Sequence, residues 1–457
     1  MRAWVIATAL GIGMITAACG ESTPTPVRAG DRVPTDRTGV DSPELRSPSP
    51  QPSPALAEEE DPPAGSGSTE RSISISTSTS TSTSTTDTTD ADAGAARWPL
   101  AIDTHIDTTQ RMLDTTDDIA DALDGGHVDF PRMRAGGLSG AFFSIWVDPR
   151  RYEGEAAWER ARALVAAVRS EVERHPDQAA LCTTATEVRA AHASGRIAVL
   201  MGIEGAHALG DAPVPTLIER LDELYGLGCR YLTITWTNDN VFAHASTGGH
   251  PARGLTEDGR TLITHMNELG MIPDVSHVSD RTFFDVLALS SRPPMASHSA
   301  TRALSPHRRN VTDAMIRAMA EHHGVICVNY YAAFVDAAYG DARHEVEHAH
   351  AAELRAIEGR SWVSSGPRNA LLHSLAPELH APTIRALGAH FAHVVEIGGI
   401  ETACLGSDFD GAGELAGLTD AADLPQLYAE LERRGLALAP ILGENVLRVL
   451  DANAPAP

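Results

Sequence analysis

LAIDTHIDTT, residues 100–109, begins as an apolar strand and ends in ionisable groups. Leu100, Ala101 and Ile102 suit a buried strand, and Asp103, His105 and Asp107 then follow at every second position. Strand side chains alternate between faces, so period 2 puts these three on one side. Buried ionisable groups are paired or hold a metal, and the end of this strand therefore marks a candidate site.

Seven further apolar runs follow: GAFFSIWV, IAVLMGIEG, CRYLTITW, GMIPDVSH, PPMASHS, GVICVNYY and TACLGSDFDG. Helix-like segments lie between most of them. EAAWERARALVAAVRSEVER is one. LTEDGRTLITHMNELG puts Leu262, Met266 and Leu269 on one face and stops at Gly270. TDAMIRAMAEHHG has Thr312 as an N-cap and Gly324 as its stop. Continuous apolar strands alternating with amphipathic helices indicate parallel β/α units. Eight such units predict a (β/α)8 TIM-type barrel with insertions over residues 98–457, the longest insertion falling at 332–383 after the seventh barrel strand. A doubly wound open sheet is the alternative, but no G-x-G-x-x-G or G-x-x-x-x-G-K follows a strand.

The polar residues gather at the strand ends. Strand one ends in His105 and Asp107, strand three in Glu204, strand four in Trp236, Asn238 and Asn240. Strand five ends in Asp274 and His277, strand six in His298, and strand eight in Asp408 and Asp410. In a barrel these ends converge on one mouth, where such enzymes place their sites. His105, Asp107, Glu204, His277 and His298 form a nitrogen and oxygen donor set that suits zinc, with cobalt or manganese as alternatives. Five ligands exceed what one catalytic zinc takes from protein. Two ions bridged by a carboxylate would use all five, polarise a carbonyl and generate hydroxide between them; Glu204 is the candidate bridge. Taken singly, each residue has a plainer reading: a hydrogen-bonded loop histidine, or a glutamate capping a helix. Five residues of ligand type at four strand ends in one frame favour the metal centre.

Other motifs carry less. His344 and His348, four apart in HEVEHAHAAELRA, fit a solvated charged helix better than a metal site. Asn310-Val311-Thr312 matches the N-glycosylation pattern, but Thr312 already has a capping role. No G-x-S-x-G in the barrel region supports a serine hydrolase.

The chain of 457 residues is acidic, with 61 Asp+Glu against 36 Lys+Arg, which argues against a nucleic-acid partner. Residues 1–19 read as a targeting segment: Arg2, then apolar residues to Ala18, then Cys19. A Cys after small residues resembles the bacterial lipoprotein signal, although Thr16 departs from the Leu most often found there. The expectation is an exported protein of a bacterial cell envelope, held to the membrane only through this N-terminal segment. Residues 20–97, rich in Ser, Thr and Pro, read as a disordered tether. Among the remaining cysteines, Cys229, Cys327 and Cys404 lie in or beside apolar runs and are expected as buried hydrophobes, Cys182 standing apart; export permits a disulfide without indicating the pair.

IDTHID, MGIEGAH, PDVSHVSD, SHSATRALSPHRRNV and GSDFDGAG resemble the membrane (renal) dipeptidase family of metal-dependent amidohydrolases. The likeness runs from about residue 99 to 450, and leaves out the targeting segment, the tether and the 332–383 insertion. The resemblance implies two zinc ions, one held by His105 and Asp107, the other by His277 and His298, with Glu204 between them. It implies Asp408 as catalytic acid/base and Arg309 as the partner of the substrate carboxylate, a task that suits a guanidinium fork. It further implies hydrolysis of dipeptides, including those with a C-terminal D-residue, and a homodimer. Trp236 departs from the family, which often has His there to hold the substrate and the developing oxyanion. Hydrolysis of another amide or lactone, or a non-catalytic metal-binding lipoprotein, are the competing expectations.

Overall fold

Eight parallel strands close into a barrel: β1 (Ile102–Ile106), β2 (Gly140–Trp146), β4 (Ile197–Glu204), β5 (Cys229–Thr233), β6 (Ile272–Asp274), β7 (Met295–Ala296), β8 (Val325–Val328) and β9 (Ala403–Leu405). These are the eight runs read from the sequence. The computed structural model describes residues 98–358, 366–412 and 415–455, so the targeting segment and the tether lie outside the described residues. A ninth strand, β3 (Ala179–Leu181), was not anticipated. It pairs with Ile197–Val199 of β4, while β5 pairs with the upper half of the same strand edge, Met201–Glu204. Three residues are too few to show a strand period.

Alternation sorts the barrel strands. On β4, Ala198 and Leu200 pack with Phe142, Tyr231, Ile272 and Met295 inside the barrel, whereas Val199, Met201 and Ile203 join the larger core beneath the helices. The inward set therefore continues through Gly202 to Glu204 at the mouth. Gly202 is required there, because a Cβ would lie 1.9 Å from the Tyr231 ring. On β1 the register shifts between Asp103 and Ile106. Asp103 does not join His105 and Asp107 at the mouth; it accepts the backbone N–H of His105 and of Ser407 and so ties β1 to the loop after β9. The closing helix Asn445–Asn453 inserts Val446, Leu447, Val449 and Leu450 against the inner residues and covers the far end.

The helices form where the sequence signals them. Glu155–Arg174 covers the expected segment. Glu257–Leu269 starts at Thr256, whose side chain accepts from Gly259 N, and ends at left-handed Gly270. Asp313–Glu321 is capped by Thr312, but left-handed His323 ends it before Gly324. Four short helices, Ala332–Val335, Ala337–Ala349, Ala351–Glu358 and Gly366–Leu375, occupy the insertion. His344 and His348 are exposed on the second of these. Asn310 is buried, with Nδ2 donating to the carbonyls of Ser305 and Phe334, so it offers no accessible glycosylation site. Among the described residues no helix is long and apolar enough to cross a membrane.

Cys229 is a buried free thiol, as expected, and Cys182 is one too. Cys327 and Cys404 are not: they are register partners on β8 and β9 and form a disulfide. A separation of 77 residues hid a neighbour relation that only strand pairing creates. Peptide mapping without reduction should recover Cys327 and Cys404 as one linked pair, with Cys182 and Cys229 alkylated after denaturation. Four alkylated cysteines would refute the cross-link.

Candidate metal centre

The strand ends bring all five expected ligands together. Glu204 is the hub, and its two oxygens face different partners. Oε1 lies 3.0 Å from His277 Nε2 and 3.6 Å from His298 Nε2. Oε2 lies 3.4 Å from His105 Nε2, which is 3.8 Å from Asp107 Oδ2. The Nε2 atoms of His277 and His298 are 2.8 Å apart. Every one of the five side chains is buried. His105 Nε2 and Asp107 Oδ1 have no hydrogen-bond partner. Three imidazole nitrogens and two carboxylates converging with orphaned buried atoms fit divalent metal ions. This arrangement could hold two ions, one on each side of Glu204.

Neighbouring side chains hold the candidate ligands in place. His105 Nδ1 lies 2.8 Å from the Tyr231 hydroxyl, and Ser144 Oγ donates to Glu204 Oε2 at 3.4 Å. Asp408 Oδ2 accepts from Asn329 Nδ2 at 3.0 Å, and the Asp408 backbone N–H donates to His105 O. Tyr231, Ser144 and Asn329 were not singled out from the sequence. Asn329 had a readable signal, since it directly follows the seventh barrel strand in VNYY. Asp410 is a brace: it accepts from Thr108 Oγ1 and from the His127 backbone N–H. Arg309 is buried, with its guanidinium 5.4 Å from the Phe334 ring, weak contacts to Ser299 Oγ and His298 O, and an Nε without a partner.

A cavity of about 440 Å3 opens over this cluster, lined by Asp107, Glu204, His277, Arg309 and Asp408. Trp146 and Trp236, with ring centroids 5.0 Å apart, form one wall. Tyr331, Phe334, Arg343, Glu347, Arg368 and Asn369 form another; all but Tyr331 come from the insertion. His244 pairs with Asp239 and does not line the cavity, so it does not stand in for the missing histidine. Asn238 and Asn240 also lie off the cavity; Asn240 folds its own loop by bonding Ile234 O and the Phe242 N–H.

Electrostatics pull the groups apart. Burial works against a protonated His105, but the Glu204 carboxylate outweighs it and, with Asp107 and Asp408, pushes the ring up to about 10. Burial, then Arg309, pushes His277 down to about 3. Burial, then His105 and His277, holds His298 well below the usual range. Burial resists ionisation of Glu204, yet His105 and His277 hold its carboxyl well below the carboxylate range. Burial and then the Glu204 charge raise Asp107. Burial pushes Asp408 up to about 6, opposed by His105 and supported by Glu204.

Residues 95–456 match the model of the family described as membrane dipeptidase, peptidase family M19. The chain belongs to this family. It is similar to the dipeptidase verJ of Clonostachys rogersoniana, 30% identical over 71% of this chain and 76% of that one. It is similar also to an uncharacterised dipeptidase of Schizosaccharomyces pombe, 31% identical over 71% and 72% of the two chains. Among solved structures, a metallopeptidase from Rhodobacter sphaeroides, liganded with a phosphinate mimic of the dipeptide L-Ala-D-Ala, is 27% identical with a TM-score of 0.64, covering 78% of this chain and all of that one (100%). Membrane dipeptidases, and this chain with them, are metallo-dipeptidase hydrolases built on a TIM-type barrel.

A Cβ at Gly411 would sit 1.9 Å from Asp107 Oδ2 and 2.7 Å from Asp408 Oδ1. Gly411→Ala should therefore displace both carboxylates and lose metal binding by calorimetry, while circular dichroism stays that of the parent. Because His105 is protonated below about 10, binding of divalent metal must expel that proton, and apparent affinity should fall about tenfold for each pH unit of acidification near neutrality. Calorimetry at pH 7.5 in buffers of different ionisation enthalpy should register at least one released proton; no release would contradict the protonated ring.

Proposed function

We propose that this protein is an exported dizinc dipeptidase that cleaves dipeptides, including those with a C-terminal D-residue. The observation that carries the reading is the division of Glu204: one oxygen faces His277 and His298, the other His105, near Asp107. One zinc would be held by His105 and Asp107 and the other by His277 and His298, with Glu204 shared. Zinc bound there supplies a Lewis acid for the scissile carbonyl and activates water.

The remaining chemistry falls to side chains. Asn329 occupies Asp408 Oδ2, which leaves Oδ1, on the side of Asp107, to take a proton and return it to the leaving amine. A carboxyl pushed up to about 6 is ionised near neutrality yet close enough to that pH to donate again. Arg309 points a buried guanidinium into the cavity, where the C-terminal carboxylate of a dipeptide would pair with it. A cavity of about 440 Å3 suits a small peptide. The dipeptide mimic bound by the Rhodobacter relative supports an L-D substrate. The apolar segment ending at Cys19 supports export and anchoring in the cell envelope.

Trp236 motivates a second reading, hydrolysis of another amide or lactone such as an N-acyl amino acid. Its indole lines the cavity, with its ring centroid 6.4 Å from that of His277, and has one donor and no acceptor. The deciding experiment is hydrolysis of L-L, L-D and D-L dipeptides and N-acyl amino acids by the zinc-reconstituted chain, with chelated protein and His298→Ala as controls. Zinc-dependent cleavage of L-D dipeptides, lost in His298→Ala, is the expected result. Turnover of N-acyl amino acids alone would transfer the assignment to the second reading.

A further inference from the structure

Behind His298 lies a hydrogen-bonded chain that never reaches the cavity. Asp274, at the end of β6, is wholly buried. Its Oδ1 accepts the backbone N–H groups of Ser276 at 3.0 Å and Ser297 at 2.9 Å. Its Oδ2 accepts the hydroxyls of Thr233 and of Ser297, the latter at 2.6 Å. The Ser297 hydroxyl has one proton and three neighbours that could accept it: Asp274 Oδ2 at 2.6 Å, His298 Nδ1 at 2.8 Å and Ser276 Oγ at 3.3 Å. The carboxylate is the nearest and the only anion, so it takes the proton in a charge-assisted bond. The 2.8 Å contact between Ser297 Oγ and His298 Nδ1 then requires the imidazole to donate. An imidazole with its single proton on Nδ1 carries its lone pair on Nε2. Nε2 is the atom that faces Glu204 and His277.

We propose that Asp274 is a positioning residue which, acting through Ser297, holds His298 as the Nδ1–H tautomer and so directs an Nε2 lone pair into the metal centre. The inference rests on the reading of the cluster as a metal centre. The three imidazoles differ in this respect. The Tyr231 hydroxyl beside His105 Nδ1 can donate or accept and is no anion, and His277 Nδ1 is buried without a partner. Of the three, only His298 is held at Nδ1 through a bond to an anion outside the cluster, so an ion held by His277 and His298 would depend on Asp274 more than the other would.

Ser297→Ala separates this role from a structural one. It cuts the link to His298 but leaves Asp274 its bonds from Ser276 N, Ser297 N and Thr233, which tie β5, β6 and β7 together. Zinc binding to the full chain would be measured by competition with a chromophoric chelator. The histidine tautomers of the metal-free protein would be read by long-range proton–nitrogen NMR, with His298→Asn to assign the signal. The expected result is two zinc ions on the parent chain, an Nδ1–H signature at His298, and a loss of about 10- to 100-fold in affinity for one of the two ions in Ser297→Ala at unchanged melting temperature. An Nε2–H signature at His298 in the parent, or Ser297→Ala holding both ions as tightly as the parent, overturns the relay alone. A folded parent that binds no zinc overturns the metal-centre reading and the relay with it.

Discussion

Everything at the mouth of the barrel is arranged around the carboxylate of Glu204. An ionised carboxylate buried beside three imidazoles is costly unless each oxygen has partners. Glu204 meets this with one oxygen toward His277 and His298 and the other toward His105 and Ser144. Strand alternation delivers it there, above Leu200 and Gly202. The bare Cα of Gly202 makes room for the Tyr231 ring, and the Tyr231 hydroxyl in turn steadies His105. The position of the hub therefore depends on a glycine two residues earlier on the same strand.

Backbone strain is concentrated at the same place. Four non-glycine residues among those described have left-handed backbones: His277, Asp408 and Asp410 at the strand ends, and His323 at a helix end. Such conformations cost about 1–3 kcal/mol each and persist where the surroundings over-determine them. Here the surroundings are visible. Asp410 is clamped by Thr108 and His127, Asp408 is held through its own N–H to His105 O, and the His277 carbonyl accepts from the Ser246 N–H. Of these, His277 and Asp408 line the cavity with Glu204, whereas Asp410 is turned to Thr108 and His127.

The insertion after β8 supplies one wall of the cavity. Phe334 lies under the Arg309 guanidinium, and Arg343, Glu347, Arg368 and Asn369 continue the wall outward, with Glu347 accepting from Arg343 and paired with Arg368. The floor of the cavity comes from strand ends, and one wall from the helices of the insertion. Trp146 and Trp236 line the same cavity as these insertion residues.

The amino-acid sequence by itself determined the eight barrel strands, their helices and the five residues that meet at the mouth. It could do so because each strand is a continuous apolar run and each candidate ligand stands at a fixed offset from the end of one; barrel closure turns those offsets into proximity. Asn329, directly after the seventh barrel strand, is legible by the same rule. What only the tertiary structure decided is what depends on contacts between strands far apart in sequence. The pairing of Cys327 with Cys404 is of this kind, as is the support of His105 by Tyr231. So are the diversion of Asp103 into bracing at a register shift and the relay from Asp274 through Ser297 to His298. Local patterning specifies which face a residue occupies. Which neighbour it meets on that face is set by strand register and by side-chain hydrogen bonds that form only once the barrel has closed.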